Sequence, residues 1–343
     1  MKKVFRLLVL TFVLIVLILT TVSLAACGRA ERFYFHDVFG TFLEIDAEGT
    51  GRKDFADSLY DSLKKDEAVI SADIAGSDVE RINSAAVGES VECSPVTMEL
   101  LAVCEKVYRA TDGAYDPSVY PLVKLWGFAA GDFVAGGNYT PPSQAQIDSA
   151  LALVGFDRVF AVDYDNNTVT KLVEGAALDL GGVAKGWEVQ RALNEGGDRK
   201  FLINFGGNIG ANAKEYTVGI SSPRTEMSTL SYIGTFSLMS GETVTTSGDY
   251  ERYFEYEGKR YFHIIDPESG YPADGGLMSA TVVTLGGATD GATADALATA
   301  MMIVGKDAAL ALAEEFGVGC ILVGTDKTVT VGLGDRAYTS KLQ

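Results

Sequence analysis

Histidine, cysteine and positive charge are all scarce in this 343-residue chain, and each scarcity excludes something. There are 28 Lys and Arg against 46 Asp and Glu, a formal net charge of −18. A surface so acidic repels nucleic-acid backbones and anionic lipid, so a nucleic-acid partner is excluded, although a local metal ion can still hold a phosphate ligand. Of four cysteines, Cys27 closes an N-terminal apolar run, and the other three (Cys93, Cys104, Cys320) are odd in number with no C-x-x-C spacing. Neither a zinc site nor a disulfide framework follows from that pattern. Cys104 and Cys320 sit in apolar stretches and read as small buried hydrophobes, while a Cys93–Cys104 bridge stays open. Only His36 and His263 can supply imidazole chemistry. Disorder is not expected, because 47% of the residues are hydrophobic and the length supports a sizeable core.

The N-terminus carries Lys2, Lys3 and Arg6, an apolar run from Leu7, then Leu24-Ala25-Ala26-Cys27. That is the build of an export signal. The Leu-Ala-Ala-Cys ending resembles a bacterial lipobox, with cleavage before Cys27 and diacylglycerol on its thiol. This divides the chain into a signal peptide (1–26), a lipidated N-terminus and tether (27–35) and a folded domain (36–343), placed outside the cytoplasm and lipid-anchored to the bacterial cell membrane. An uncleaved membrane anchor is the alternative, since Leu7 to Ala26 is about long enough to span a bilayer. Loss of residues 1–26 removes three positive charges and takes the net charge from −18 to −21.

Along the rest of the chain, periodicity predicts a strand over 31–46, a helix over 54–69, a helix from the Ser94-Pro95 N-cap to Asp112-Gly113, a helix from Ser143, and a hairpin around Asp165-Asn166-Asn167. A helix opens at Gly181-Gly182 and runs through Leu193. Strands follow at 201–205, 216–221, 230–238 and 279–285, helices at 292–304 and 306–316, and a closing hairpin over 320–331. No repeat and no break in composition marks a second domain. One α+β domain with an antiparallel-rich sheet is predicted.

Chemistry concentrates in Thr245–Pro272, TTSGDYERYFEYEGKRYFHIIDPESGYP. Tyr253–Glu257 and Lys259–Ile265 around Gly258 read as a hairpin that delivers His263 beside Asp266, a pairing suited to proton transfer near neutral pH. Read alone, His263 is a turn histidine satisfied by local hydrogen bonds. Asp179-Leu-Gly-Gly-Val-Ala-Lys185-Gly186 joins a strand to a helix N-terminus that favours an anion, with Lys185 in reach of a phosphate. It is not a Walker loop, because the Gly–Lys spacing differs and no Ser or Thr follows the Lys. Asp295 and Thr299 lie one helical turn apart on one face, oxygen ligands of the kind Mg²⁺ takes, or simply a helix-dipole Asp and a Thr bonded back to a carbonyl. Asp112–Phe128 is rich in aromatics and turns, and can either wrap an aromatic ligand or pack as a loop.

Eight motifs in register resemble the ApbE family of FAD:protein FMN transferases: FGTF at 39–42, SDVERIN at 77–83, DGAYDPSVYPLVKLWGF at 112–128, DLGGVAKG at 179–186, INFGGNIG at 203–210, TSGDYERYF at 246–254, HIIDPESGYP at 263–272 and ADALATA at 294–300. The resemblance implies a single ApbE-type domain related to the tunnelling fold. It implies Mg²⁺-dependent transfer of FMN from FAD to a Ser or Thr hydroxyl of an acceptor flavoprotein, with AMP released, the acceptor belonging to a membrane-associated or extracytoplasmic electron-transfer system. Carried over position by position, flavin and adenosine contacts fall on Phe39, Asp73, Ala114, Tyr115, Asp116, Asp179, Lys185 and Ile265. Metal ligands fall on Asp295 and Thr299 with backbone oxygens of Gly182 and Ala298. His263 takes the part of the base, Lys185 that of phosphate neutralisation, and Thr246 and Ser247 position phosphate or acceptor. Two positions depart from the family pattern: Phe39 stands where Met is usual, and Ala72-Asp73-Ile74 stands where an aromatic commonly faces the flavin. The competing readings are an FAD pyrophosphatase that yields FMN and AMP, and a non-catalytic flavin-binding lipoprotein.

Overall fold

Eight strands carry the fold, and they lie side by side in the order in which the chain makes them. The computed structural model describes residues 30–129, 133–286 and 289–342. With strands numbered along the chain, the large sheet runs β1 (Glu31–Val38), β2 (Thr41–Ala47), β6 (Phe201–Phe205), β7 (Asn208–Asn212), β10 (Thr243–Gly248), β13 (Leu277–Thr284), β14 (Val318–Gly324) and β15 (Val329–Gly332). Each neighbouring pair is antiparallel. The remaining numbers are insertions: β3 (Ser90–Glu92), β4 (Phe160–Asp163) and β5 (Thr168–Lys171) form one small sheet, β8 (Tyr216–Ser221), β9 (Tyr232–Leu238) and β16 (Tyr338–Ser340) another, and β11 (Tyr253–Tyr256) with β12 (Lys259–Phe262) a hairpin. This is the single α+β, antiparallel-rich domain that the pattern predicts. Part of the segment read as tether is folded, because β1 begins at Glu31.

Helices are α1 (Arg52–Ile70), α2 (Asp78–Ser84), α3 (Pro95–Ala110), α4 (Tyr120–Leu125), α5 (Gln144–Leu151), α6 (Phe156–Val159), α7 (Gly181–Glu195), α8 (Gly291–Val304) and α9 (Lys306–Glu315). Strand alternation sorts the sheet's two faces. Phe201, Ile203 and Phe205 meet α1 and α7, whereas Leu202 packs with Val244, Val283, Ile321 and the β8–β9 layer. Helix α8 is apolar almost all round and is buried on nearly every side, only Thr299, Ile303 and Val304 escaping full burial. Cys93, Cys104 and Cys320 are buried free thiols, so the possible Cys93–Cys104 bridge is not made.

One strand was expected over 31–46, and there are two. Phe39 (φ 49°) and Gly40 (φ 65°) are both left-handed, the signature of a two-residue type I′ hairpin turn. Alternation continues across so tight a turn, so periodicity alone cannot reveal it. A left-handed Phe is uncommon. Here its N–H donates to Glu67 Oε1 at 2.7 Å and its ring sits edge-on to Phe205.

The backbones of α7 and α8 touch at two glycines. A Cβ on Gly186 would lie 2.1 Å from the Gly291 carbonyl oxygen and 2.7 Å from Asp295 Cβ, and one on Gly291 would lie 2.4 Å from the Gly186 oxygen. Gly186→Ala therefore has to part the helices, and we expect a loss of about 2 kcal/mol in urea unfolding, typical of an overpacked core. Unchanged stability would show that the two helices do not approach so closely.

A second pressure point joins α1 to α7. Glu188 is fully buried, Arg191 pairs with both Glu188 and Asp66, and Glu188 Oε1 is buried with no hydrogen-bond partner. Burial pushes the Glu188 carboxyl up to about 8; Arg191 opposes this and Asp66 reinforces it. Between the unfolded value near 4.5 and 8 the unfolded chain releases a proton that the folded chain keeps, so stability falls as pH rises through that window. Glu188→Gln, which mimics the protonated acid, is expected to flatten a decline on the order of a few kcal/mol between pH 5 and pH 8. Parallel pH–stability curves for parent and variant would contradict the raised Glu188 carboxyl.

Candidate active site

Asp295 and Thr299 sit on α8 where it crosses the start of α7 and the end of β10. Asp290 caps α8, accepting from Thr293 N at 2.7 Å, and this sets the turn that puts Asp295 under Gly186. Gly186 N–H donates to Asp295 Oδ2 at 3.0 Å. In a regular helix that N–H serves the carbonyl four residues back, here Gly182, so the Gly182 oxygen shares its donor with a carboxylate. Asp295 is buried and desolvation raises its pKa, opposed by the Lys185 ammonium and by hydrogen bonds from Gly186 and Asn208. Thr299 Oγ1 has only long contacts, 3.5 Å to the Asp295 carbonyl and 3.4 Å to Ser247 Oγ. No group of three or more His, Cys, Asp or Glu side chains converges among the described residues. One carboxylate with hydroxyl and carbonyl oxygens is nevertheless a donor set that fits a small hard cation, which commonly completes its shell with water and phosphate. Ala298 lies buried one residue before Thr299.

The pleat of β10 separates the two hydroxyls that the sequence grouped together. Ser247 faces α8 and reaches Thr299, whereas Thr246 pairs with Thr281 at 2.8 Å, on the face that packs against the β8–β9 layer. Around the Asp295 corner, the Lys185 ammonium donates to the Gly181 carbonyl at 2.9 Å, and Asp179 Oδ1 accepts from Gly181 N at 2.9 Å, closing the turn into α7. The Tyr115 ring is buried and lies where a Gly182 side chain would go, 3.1 Å from its Cβ position, with its hydroxyl on Cys104 Sγ. That contact explains glycine at 182.

His263 follows directly on β12, whose hairpin turn Glu257-Gly258 is again left-handed at both positions. The residue is half-buried, and Nδ1 is fully buried with no hydrogen-bond partner. Desolvation, then the Arg252 and Lys185 charges, push its pKa down to about 3. The expected Asp266 partner is not there. Asp266 instead closes its own turn, accepting from Glu268 N and from the Ser269 hydroxyl, because an Asp before Pro is better placed to bond the backbone two residues on than a side chain across a strand. The carboxylate in this region is Glu251, which is solvent-exposed yet raised in pKa by the surrounding protein, with Lys185 and Arg252 opposing.

Other positions lie apart from this corner. Asp116 is buried and staples its loop, accepting from Ser118 N, Ser118 Oγ and Phe156 N. Ala114 is half-buried in the same loop. Asp73 is exposed and accepts from the Tyr120 hydroxyl at 2.7 Å. Ile265 is buried in the aromatic cluster of Trp126, Phe128 and Phe254, and Phe39 stands at the β1–β2 turn. Cys27 lies outside the described residues.

The model of the ApbE family matches residues 39–322. The chain belongs to the ApbE family. The FAD:protein FMN transferase of Klebsiella pneumoniae (strain 342) is 32% identical over 293 residues, 84% of this chain and 87% of that protein. That of Haemophilus influenzae is 29% identical over 331 residues, 90% and 91% of the two chains. The crystal structure of the ApbE protein of Thermotoga maritima aligns with a TM-score of 0.78 at 29% identity, covering 89% of this chain and 97% of that one. The apo form of the Pseudomonas stutzeri flavinyl transferase ApbE aligns at 0.74 and 26% identity, covering 88% and 94%.

In this ApbE chain, reading from sequence missed four contributors. Gly291 and Gly186 look like ordinary small helix residues until α7 and α8 meet. Asn208 and Glu251 fall within recognised motifs but carry no signal of their own. Their roles come from tertiary contact, which brings β10 beside α8 and β7 beside α7.

Proposed function

We propose that this protein is an FAD:protein FMN transferase that works at the Asp295 corner. The observation that carries the proposal is the buried Asp295 carboxylate, held by Gly186 N–H beside Thr299, Ser247 and Lys185, with the Lys185 charge acting on both Asp295 and His263. Asp295, Thr299 and the backbone oxygens of Gly182 and Ala298 would hold Mg²⁺, which supplies charge neutralisation for the FAD pyrophosphate. Lys185 adds a second positive charge to that region. The acceptor's Ser or Thr oxygen forms a bond to the FMN-side phosphorus as the bond from that phosphorus to the bridging oxygen breaks, and AMP leaves. His263, neutral under ordinary conditions, takes the hydroxyl proton. Phe39, Tyr115, Asp116, Asp179, Ala114, Asp73 and Ile265 are the residues assigned to shape the flavin and adenosine pockets, and Ser247 to position phosphate or acceptor, whereas Thr246 faces away from the site and bonds Thr281.

Water in place of the acceptor hydroxyl would make the same cleavage a hydrolysis to FMN and AMP. The test is incubation of the full chain in detergent with FAD, Mg²⁺ and a candidate acceptor flavoprotein. Flavin fluorescence on the denatured acceptor band supports transfer, free FMN with an unlabelled acceptor supports hydrolysis, and unchanged FAD leaves a flavin-binding role.

We further place the enzyme outside the cytoplasm on a lipid at Cys27, acting on an electron-transfer partner. The first described strand starts four residues beyond that cysteine. Palmitate labelling that survives Cys27→Ser would remove this assignment.

A further inference from the structure

We propose that Asn83 is a positioning residue: its side-chain amide grips the backbone of Leu178 and so fixes where Asp179 and the Gly182 carbonyl stand for FAD and its cation. The inference rests on the transferase reading above and extends it to a residue that acts through the backbone of another.

Residues 176–180, where the pattern predicts a strand leading into α7, belong to no strand. A side chain takes the place of a neighbouring strand. Asn83 Nδ2 donates to the Leu178 carbonyl at 2.9 Å, and Leu178 N–H donates to Asn83 Oδ1 at 2.7 Å. Those are the two bonds that a residue exchanges with its opposite number in an antiparallel ladder, made here by the donating and accepting ends of one amide. On the next residue, Asp179 N–H donates to the Pro117 carbonyl at 2.9 Å. One residue is thus pinned to α2 and the next to the Asp116 loop. The chain then turns into α7 through the Gly181 N–H bond to Asp179, with Gly182 four residues past Leu178.

Asn83 is itself held firmly, as the last residue of SDVERIN (77–83). Ser77 caps α2, accepting from Glu80 N at 2.9 Å, Asp78 accepts from Ser94 N and from the Thr97 hydroxyl, both at 2.7 Å, and Val79 and Ile82 are fully buried. At the other end the buried Lys171 ammonium donates to the Asn83 carbonyl, where the last carbonyls of a helix lack internal partners. The motif builds a rigid post, and Asn83 is the part of it that reaches the entrance to α7. The Leu178 side chain is already fully buried in the core, which fixes where that residue sits. What the amide adds is the rotation of the flanking peptide groups, and with it the direction in which the chain carries Asp179 and Gly182.

The test compares Asn83→Ala and Asn83→Asp with the parent full chain in detergent. Arg336→Met is the control, because it breaks the two-bond pair with Glu242 at the far end of β10 from Ser247 and so lowers stability away from the corner. FAD affinity without Mg²⁺, from flavin fluorescence, and KM and kcat for AMP release with Mg²⁺ are read well below each melting temperature. Asn83→Ala is expected to lower kcat/KM by about a hundredfold, the cost of roughly 1 Å of misplacement, with about tenfold or more of it in KM and matched by FAD affinity. Asn83→Asp keeps the shape and the acceptor for Leu178 N–H but turns a carboxylate oxygen on the Leu178 carbonyl, so it follows the alanine variant; if Asn83→Ala does not fold, Asn83→Asp decides. Arg336→Met melts earlier and keeps the parent's KM and FAD affinity. Asn83 variants that match the parent in both, or a control that loses both equally, would overturn the proposal and leave Asn83 structural. A parent that neither binds nor cleaves FAD would instead overturn the transferase reading on which it rests.

Discussion

Asp295→Ala should abolish Mg²⁺-dependent cleavage of FAD, lowering kcat/KM by about a thousandfold or more. The size follows from losing a cation that stabilises pyrophosphate charge by several kcal/mol, each 1.4 kcal/mol being a factor of ten. Asp295 also receives Gly186 N–H at the α7–α8 crossing, so an alanine disturbs both chemistry and packing. Asp295→Asn separates the two effects. Its amide oxygen can still accept from Gly186, so the melting temperature should stay near the parent's while Mg²⁺ stimulation disappears. If the asparagine variant keeps Mg²⁺-dependent turnover, the cation does not sit on this carboxylate.

His263→Ala is expected to cost 10²–10⁴-fold in turnover, the usual range for a general base, with FAD binding changed far less. The pH profile gives the sharper result. In the free protein His263 is pushed from 6.5 down to about 3 by burial and by the Arg252 and Lys185 charges, so it is already neutral across the physiological range. The acid limb of kcat/KM, which reports the free enzyme, should therefore not be that of an ordinary histidine near pH 6.5. Bound pyrophosphate brings negative charge towards Lys185 and Arg252 and so weakens the effect that depresses His263. Its pKa rises in the complex, and the acid limb of kcat should lie at higher pH than that of kcat/KM. Coincident limbs, or a variant that matches the parent across the range, would remove His263 from the proton transfer. The depressed value also means that stability contributed by neutral His263 is present above pH 6.5 and is lost as pH falls towards 3.

Much of this was legible in the chain. Long helices with caps and periodic faces, such as Pro95–Ala110 after Ser94, fell within a residue or two of their predicted ends. The closing hairpin and the 201–205 strand likewise declared themselves by composition. What escaped was set by tertiary contact or by turns that leave no trace in periodicity. The Phe39-Gly40 turn keeps the alternation of its flanking strands, and Tyr120–Leu125 was read as loop because its helix is only six residues long. Within the site, Asp295, Thr299, Lys185 and His263 were found from residue type and spacing, whereas Asp266 was paired with His263 only through closeness in sequence. The split of Thr246 from Ser247 is simple strand alternation, but which side faces α8 depends on the order of β7, β10 and β13. That order follows from the whole sheet and from no local pattern.

In the function proposed above, one corner, built where α7 and α8 touch, cleaves FAD and hands FMN to a protein hydroxyl. The most direct measurement is the stoichiometry of products when the full chain, FAD, Mg²⁺ and an acceptor flavoprotein are combined, with AMP counted by chromatography and FMN on the acceptor by intact mass. Equimolar AMP and phosphoester-linked FMN, both lost in Asp295→Asn, is the predicted result. AMP matched by free FMN, or an equal yield from Asp295→Asn, would contradict it.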